Sequence, residues 1–403
     1  MARVLFINGG LEGHVNPTIA LVEELLHRGE EVIYMTTEAF RDRLEALGAS
    51  VITFDGAQFT AAMRAGEVNN LVGVATGLLR TADIVIPRAL EQIGNGRIDY
   101  IIHDSMLGSG RILAQILGKP AITSSSTFAR SEATVNRMLQ DWSQRTSKEA
   151  YEKSLEAFFK VARTVQSTYN VAVGSVYEAY CNPEPLTLVY TSRYFQPEGD
   201  HFDETYQFVG PTIRSSDEEW NFSDLDLTAK PLIYIAFGTL FNQAIDFYRL
   251  AFAAFADRPY TIILSVGRQT SIADLGEIPP NFIVRNYVPQ VSVLERASLF
   301  ITHGGMNSTN EGLYHGVPLM VFPQGADQHQ VARRIEELRV GAYIQQEGLT
   351  AITLREAVDG LINNLEVRRQ CGRVAESFRG AMGVVRAVDE IFSYVKDRRE
   401  SVP

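Results

Sequence analysis

Between Asn286 and Gln328 the chain reads NYVPQVSVLERASLFITHGGMNSTNEGLYHGVPLMVFPQGADQ, an order of residues with few ways to fold. Residues 298–302 form a strand-like run that breaks on His303-Gly304-Gly305; a helix opens near Asn307-Ser308, and a second buried strand follows at 318–322. The glycines let backbone N–H groups approach an anion without Cβ interference, and the helix start adds the positive end of its dipole. Together they make a phosphate cradle wide enough for a diphosphate. Glu311 lies four residues past Asn307 and three past Ser308, on the same helix face, where a carboxylate suits a ribose diol.

The N-terminus has the same grammar. The run Val4 to Asn8 is followed by Gly9-Gly10-Leu11-Glu12-Gly13-His14 and then an amphipathic segment, so a strand, a turn and a helix over 17–28 are expected, with Pro17 in the first helical turn. This turn is not the GxGxxG of dinucleotide enzymes, and the next strand, 31–36, ends without an acidic ribose ligand, which disfavours an oxidoreductase. His14 falls where a strand-to-helix crossover opens onto the carboxyl edge of the sheet, the usual ligand side. A histidine's ordinary pKa of about 6.5 suits a base at neutral pH. The plainer alternative is that His14 lines a turn and that Asp104 caps the helix after the buried run 100–103.

Further alternation predicts a helix at 38–47, a strand at 51–54, a mostly helical stretch, a strand at 100–103, a helix at 111–117 and a strand at 121–123. This is βαβ winding. From 127 to about 173 the pattern is amphipathic and helical, and its apolar stripe reads first as core. Between about 192 and 230 the texture becomes loop-forming and charged, which marks a domain boundary. Buried-strand runs then recur at 231–237, 260–265 and 282–284 ahead of the glycine block, so a second doubly wound domain repeats the logic of the first.

The block Tyr287-Val288-Pro289-Gln290, then HGGMNSTNEG, then GVPLMVFPQGADQ, resembles the nucleotide-sugar signature of the family 1 inverting glycosyltransferases, in the order (W/Y)xPQ, HGGxNSxxEG, GxPxxxxPxxxDQ. The resemblance implies an α/β GT-B fold, two Rossmann-like doubly wound domains facing each other across a cleft. Residues 1–210 would bind an acceptor, 211–380 a nucleotide sugar, and 381–403 would form a helix crossing back to the first domain.

It also implies roles. Tyr287, where the family usually has Trp, would stack on uracil; Val288 would meet the base through its backbone; Gln290 and Glu311 would take the ribose. His303, Gly305, Asn307 and Ser308 would hold the diphosphate with Gly238 and Thr239, and Asp327 and Gln328 would bind the sugar hydroxyls. In the HxxP motif, His14-Val15-Asn16-Pro17, the histidine would deprotonate the acceptor, with Asp104 as its orienting carboxylate. Phe128, Met138 and Phe158 are candidates for the acceptor pocket. His27, His201 and His315 read as surface or capping residues, His103 should face away from Asp104, and His329 is a candidate neighbour of the sugar pair.

The implied reaction is single displacement with inversion, moving a hexose, in particular glucose, from a UDP-sugar to a hydroxyl of an apolar small molecule such as a flavonoid or macrolide. The UDP-sugar is a co-substrate and no cofactor is expected. Nor is a metal: Asp224-Leu225-Asp226 lies in the polar linker rather than at a strand end, and the anion-binding helix with its histidine offsets the leaving diphosphate. Rival readings are a lipid or cell-wall glycosyltransferase of the same fold, which should carry a basic or apolar membrane-facing patch, a nucleotide-sugar epimerase, and a non-catalytic nucleotide-sugar sensor, which would need no base. A net charge of −11 over 403 residues argues against nucleic acid as a partner, and no apolar run reaches the ~18 residues of a membrane span. With no cleavable apolar leader in the sequence and two distant cysteines, Cys181 and Cys371, a cytoplasmic location is expected.

Overall fold

In the computed structural model, residues 2–66, 69–94, 96–214, 220–223, 230–238, 244–325, 327–345 and 347–400 are described. Thr239, the 215–219 charged run and the Asp224-Leu225-Asp226 triplet lie outside them. The chain divides into two compact units, one of Met1–Thr191, Glu198–Thr212 and Met382–Pro403, the other of Ser192–Pro197 and Ile213–Ala381.

The first unit runs β1 (Arg3–Ile7), α1 (Glu12–His27), β2 (Glu31–Thr37), α2 (Arg41–Glu45), β3 (Ser50–Phe54), α3 (Gly56–Arg64), α4 (Leu71–Arg80), α5 (Ala82–Ile93) and β4 (Tyr100–Asp104). It continues through α6 (Gly108–Leu117), β5 (Ala121–Ser125), α7 (Glu132–Arg145), α8 (Lys148–Tyr169), α9 (Val176–Cys181), β6 (Thr187–Val189) and β7 (Tyr206–Phe208). Among the described residues its sheet has the order β3-β2-β1-β4-β5-β6-β7, with every pairing parallel. Both faces are covered. Val4 and Phe6 pack on one side with Tyr34, Tyr100 and Ile102, and Leu5 and Ile7 on the other with Ile33, Met35 and Ile101. That is why the strands read as continuous apolar runs rather than alternating ones; each such side chain contributes about 1.5–3 kcal/mol by leaving water.

The second unit runs β8 (Leu232–Ala236), α10 (Ile245–Phe255), β9 (Thr261–Ser265), β10 (Phe282–Arg285), α11 (Gln290–Leu294), β11 (Leu299–Thr302) and α12 (Met306–Tyr314). After these come β12 (Leu319–Val321), α13 (Gln328–Glu337), β13 (Gly341–Tyr343), α14 (Ala351–Ile362) and α15 (Leu365–Gly380). Its parallel sheet has the order β10-β9-β8-β11-β12-β13. The last helix, α16 (Gly383–Glu400), belongs to the first unit: Ala387, Val388, Ile391 and Val395 join the core around Val15, Ile19 and Val22 of α1.

One expected boundary is corrected. Helix α1 begins at Glu12 rather than at Pro17, because extended Leu11 caps it and accepts from both His14 N and Val15 N at 2.9 Å. Pro17 is therefore inside the helix, and His14 is its third residue. Phe158 is fully buried in the core beside α4, as the plain reading of its stripe had it. Among the described residues no helix is long and apolar enough to cross a membrane.

Candidate functional site

In each sheet the connections leave the first strand of the unit in one direction and later return on its other side. Open α/β sheets bind ligands at the carboxyl ends of the two strands flanking such a reversal. In the first unit those strands are β1 and β4, paired as far as Ile7 with His103. In the second they are β8 and β11, paired as far as Ala236 with Thr302. The residues just beyond each pair are Asn8 and Asp104 in one sheet, and Phe237-Gly238 and His303 in the other.

At the first reversal, His14 Nδ1 lies 2.7 Å from Asp104 Oδ2. Asp104 is almost wholly buried, while the His14 side chain keeps 22% of its surface open. The other carboxylate oxygen, Oδ1, accepts from Met106 N at 2.6 Å in a local turn; the cap of α6 is Leu107, so Asp104 does not cap that helix. Because an ionised carboxylate only accepts, the bond at 2.7 Å puts the neutral imidazole's proton on Nδ1 and its lone pair on Nε2, the tautomer a general base needs. Ser126 Oγ stands 3.1 Å from the same Nδ1. Sequence reasoning missed Asn8. Wholly buried at the end of β1, it donates from Nδ2 to the His14 carbonyl at 3.1 Å and to Asp104 Oδ2 at 3.3 Å, and its own carbonyl oxygen accepts from Gly10 N. A buried polar residue directly after an apolar strand was the available signal. His103 points away from the dyad, its Nε2 3.3 Å from Glu184 Oε1.

A small cavity in the first unit is lined by Ser105 and Met106, by Ser125 and Thr127, and by Phe128 and Tyr180 among others, without His14, Asp104 or Ser126 in its lining. Of the acceptor candidates, Phe128 thus lines a cavity, whereas Met138 is exposed on α7.

At the second reversal the chain turns through Gly304 at φ 83°, and α12 starts on Gly305 as N-cap, so Asn307 and Ser308 occupy its first turn. The His303 ring is gripped between two glycines: a Cβ on Gly238 would lie 2.7 Å from its Cε1, and one on Gly305 2.5 Å from its Nε2. Both distances are below any real Cβ contact, so the sequence needs glycine at each. Burial pushes His303 down to about 4, against an opposing pull from Asp327, so the ring is neutral near pH 7. Asp327 is thereby close enough to act on His303 electrostatically.

Four polar side chains interlock behind the helix start. Gln290 Nε2 donates to Glu311 Oε2 at 2.6 Å and to Ser308 Oγ at 3.2 Å, and Gln290 Oε1 accepts from Tyr234 OH at 3.3 Å. Burial pushes Glu311 up to about 7, and the bond from Gln290 pulls it back toward ionisation. Tyr287 presents its ring to solvent with 57% of its surface exposed, whereas Val288 is buried. Gln328, also buried, accepts at Oε1 from Gln324 N at 2.7 Å and Gly325 N at 3.2 Å, which fixes the loop after β12 and leaves the amide N–H groups for a ligand. His329 is exposed on α13, with Nδ1 3.2 Å from Tyr343 OH, and turns away from the pair before it. Among the described residues no group of three or more His, Cys, Asp or Glu side chains is placed to hold a metal ion.

Residues 250–381 match the family model described as "Erythromycin biosynthesis protein CIII-like, C-terminal domain". Over its whole length the chain is 32% identical to the uncharacterized UDP-glucosyltransferase YojK of Bacillus subtilis (strain 168), covering 99% of that protein, and 32% identical to the NDP-glycosyltransferase YjiC of the same organism, again covering 99%. Its structure is similar to that of CalG4, the calicheamicin glycosyltransferase, with a TM-score of 0.86, 29% identity and full coverage of both chains. The chain belongs to the family 1 glycosyltransferases of GT-B fold, and it is a glycosyltransferase.

Proposed function

We propose that the enzyme moves a hexose, glucose first among them, from a UDP-sugar to a hydroxyl of an apolar small molecule of the flavonoid or macrolide kind, with inversion at the anomeric carbon. The 2.7 Å contact between His14 Nδ1 and Asp104 Oδ2 carries this reading. It sets the Nε2 lone pair to take the acceptor proton while Asp104 stabilises the imidazolium that forms. The acceptor oxygen then forms its bond to the anomeric carbon as the bond to the diphosphate breaks. In the second unit, the N–H groups at the start of α12 and the neutral His303 hold the diphosphate, and Glu311 takes the ribose hydroxyls. Asp327 and the Gln328 amide take the sugar. The names of the relatives support a sugar nucleotide and a natural-product acceptor.

The charge on the leaving diphosphate is met in this mechanism by oriented N–H donors, so a chelator should leave turnover unchanged. The test of the whole reading is a donor screen by mass spectrometry against flavonoids, macrolides and sterols, run with the wild type and His14→Ala. A glycoside of mass increment 162 is expected from UDP-glucose with the wild type only, with UDP affinity by calorimetry within a few-fold in both (about 162 Da for a hexosyl group replacing hydrogen). Undiminished product with His14→Ala removes the base.

A further inference from the structure

Tyr234 lies in the middle of β8, with Ile233 and Ile235 beside it, on a strand buried throughout. Its ring stacks on Phe300 of β11, centroids 4.9 Å apart at 17°. Phenylalanine would fill that volume as well. A tyrosine there brings a hydroxyl into the core, which destabilises the fold when left unsatisfied. Here it is satisfied: the hydroxyl bonds with Ser265 at the end of β9 and donates to Gln290 Oε1.

The consequence falls on Gln290. With its oxygen facing a hydroxyl donor and its nitrogen facing a carboxylate, the amide has one sensible orientation, and both of its N–H groups are engaged, one by Glu311 Oε2 and one by Ser308 Oγ. In this reading the ribose contact expected of Gln290 passes to Glu311. What Gln290 presents is a fixed support for Glu311, whose second carboxylate oxygen is the acceptor that remains.

We propose that Tyr234 is a positioning residue for the nucleotide subsite, acting through Gln290 to hold the Glu311 carboxyl group aimed at the ribose diol. The proposal rests on the UDP-binding reading above. Removing the hydroxyl leaves Gln290 Oε1 without its donor, so the amide loses the anchor that holds its N–H groups on Glu311 and Ser308.

The experiment measures UDP binding by calorimetry and the steady-state donor kinetics of four proteins: wild type, Tyr234→Phe, Gln290→Ala and the double variant, with Glu311→Ala as reference. Tyr234→Phe should weaken UDP about five- to tenfold and raise the donor KM to the same extent while kcat at saturating donor stays within about twofold, because the reacting atoms are untouched. The double variant should be no weaker than Gln290→Ala alone, since the hydroxyl acts only through that amide. A loss of packing would instead lower kcat and the melting temperature without this split. If Glu311→Ala weakens UDP but Tyr234→Phe does not, or if the two substitutions add, the positioning role is wrong and the ribose assignment stands. If the wild type does not bind UDP, or Glu311→Ala leaves binding unchanged, the ribose assignment fails and the proposal with it.

Discussion

Asn8 is tied to Asp104 across the first sheet: its Nδ2 reaches the carboxylate at 3.3 Å from the neighbouring strand end, and the same amide holds the carbonyl of His14. One buried side chain therefore sets both members of the dyad. Asn8→Leu keeps the volume but takes one donor from the His14 carbonyl and one from Asp104 Oδ2, which keeps its bond to His14 Nδ1, and removes the acceptor of Gly10 N, a loss of about 1–3 kcal/mol in all. Turnover should fall at least tenfold and the melting temperature should drop, while calorimetry shows UDP affinity within a few-fold of wild type. Equal turnover in Asn8→Leu and wild type would mean that the dyad orients without it.

The two glycines around His303 predict a steric effect in the second unit. Gly305→Ala puts a Cβ 2.5 Å from Nε2, so the ring must shift, and in the proposed reading it shifts from the diphosphate. Overpacking of this kind costs about 1–3 kcal/mol, and UDP affinity should fall about tenfold or more. Gly238→Ala adds strain at φ 70° and should be the worse for stability. Thermal melting beside UDP titration separates the two.

Glu311 gives a pH dependence with a definite sign. Its folded-state value of about 7 is above the ordinary 4.5, so the stability it contributes is fully present below pH 4.5 and is lost as pH rises through 7. Denaturant unfolding should show Glu311→Gln gaining on the wild type between pH 5 and 8. Binding runs the other way, because a ribose diol donates to the ionised form: wild-type UDP affinity should rise several-fold through pH 7 relative to Glu311→Gln. UDP's own ionisation is common to both proteins and drops out of the ratio. His303, held down to about 4, stays neutral throughout this window and adds nothing to it.

Gln328 braces the loop through Oε1, and in the proposed reading its amide donates to the sugar. Gln328→Glu keeps an acceptor for Gln324 N and Gly325 N but loses the amide donor, whereas Gln328→Ala loses both. The Glu variant should melt within a few degrees of wild type yet transfer sugar at least tenfold more slowly. The Ala variant should also melt lower by about 2–4 °C per kcal/mol lost. If both transfer at the wild-type rate, Gln328 is a loop brace alone.

Most strands of both sheets and the two glycine elbows were legible because their signals are local: apolar runs for doubly covered strands, and glycine where a chain must turn tightly under a helix. The start of α1 was misplaced for an equally local reason. Pro17 is a familiar first-turn residue, but Leu11 already provides the extended cap, and a proline is tolerated further in. The three-residue strands β6, β7 and β13 were not read at all, since three residues carry too little pattern to separate a strand from a loop.

By itself, then, the sequence determined the class of fold, the two turns and the residue types at them, because spacing along one helix or strand fixes which side chains share a face. Only the tertiary structure decided the pairings: Asn8 with Asp104, Ser126 with His14, Tyr234 with Gln290. Each joins residues far apart in the chain, brought together by parallel strands that sit side by side only after a crossover, and sequence spacing holds no record of that distance.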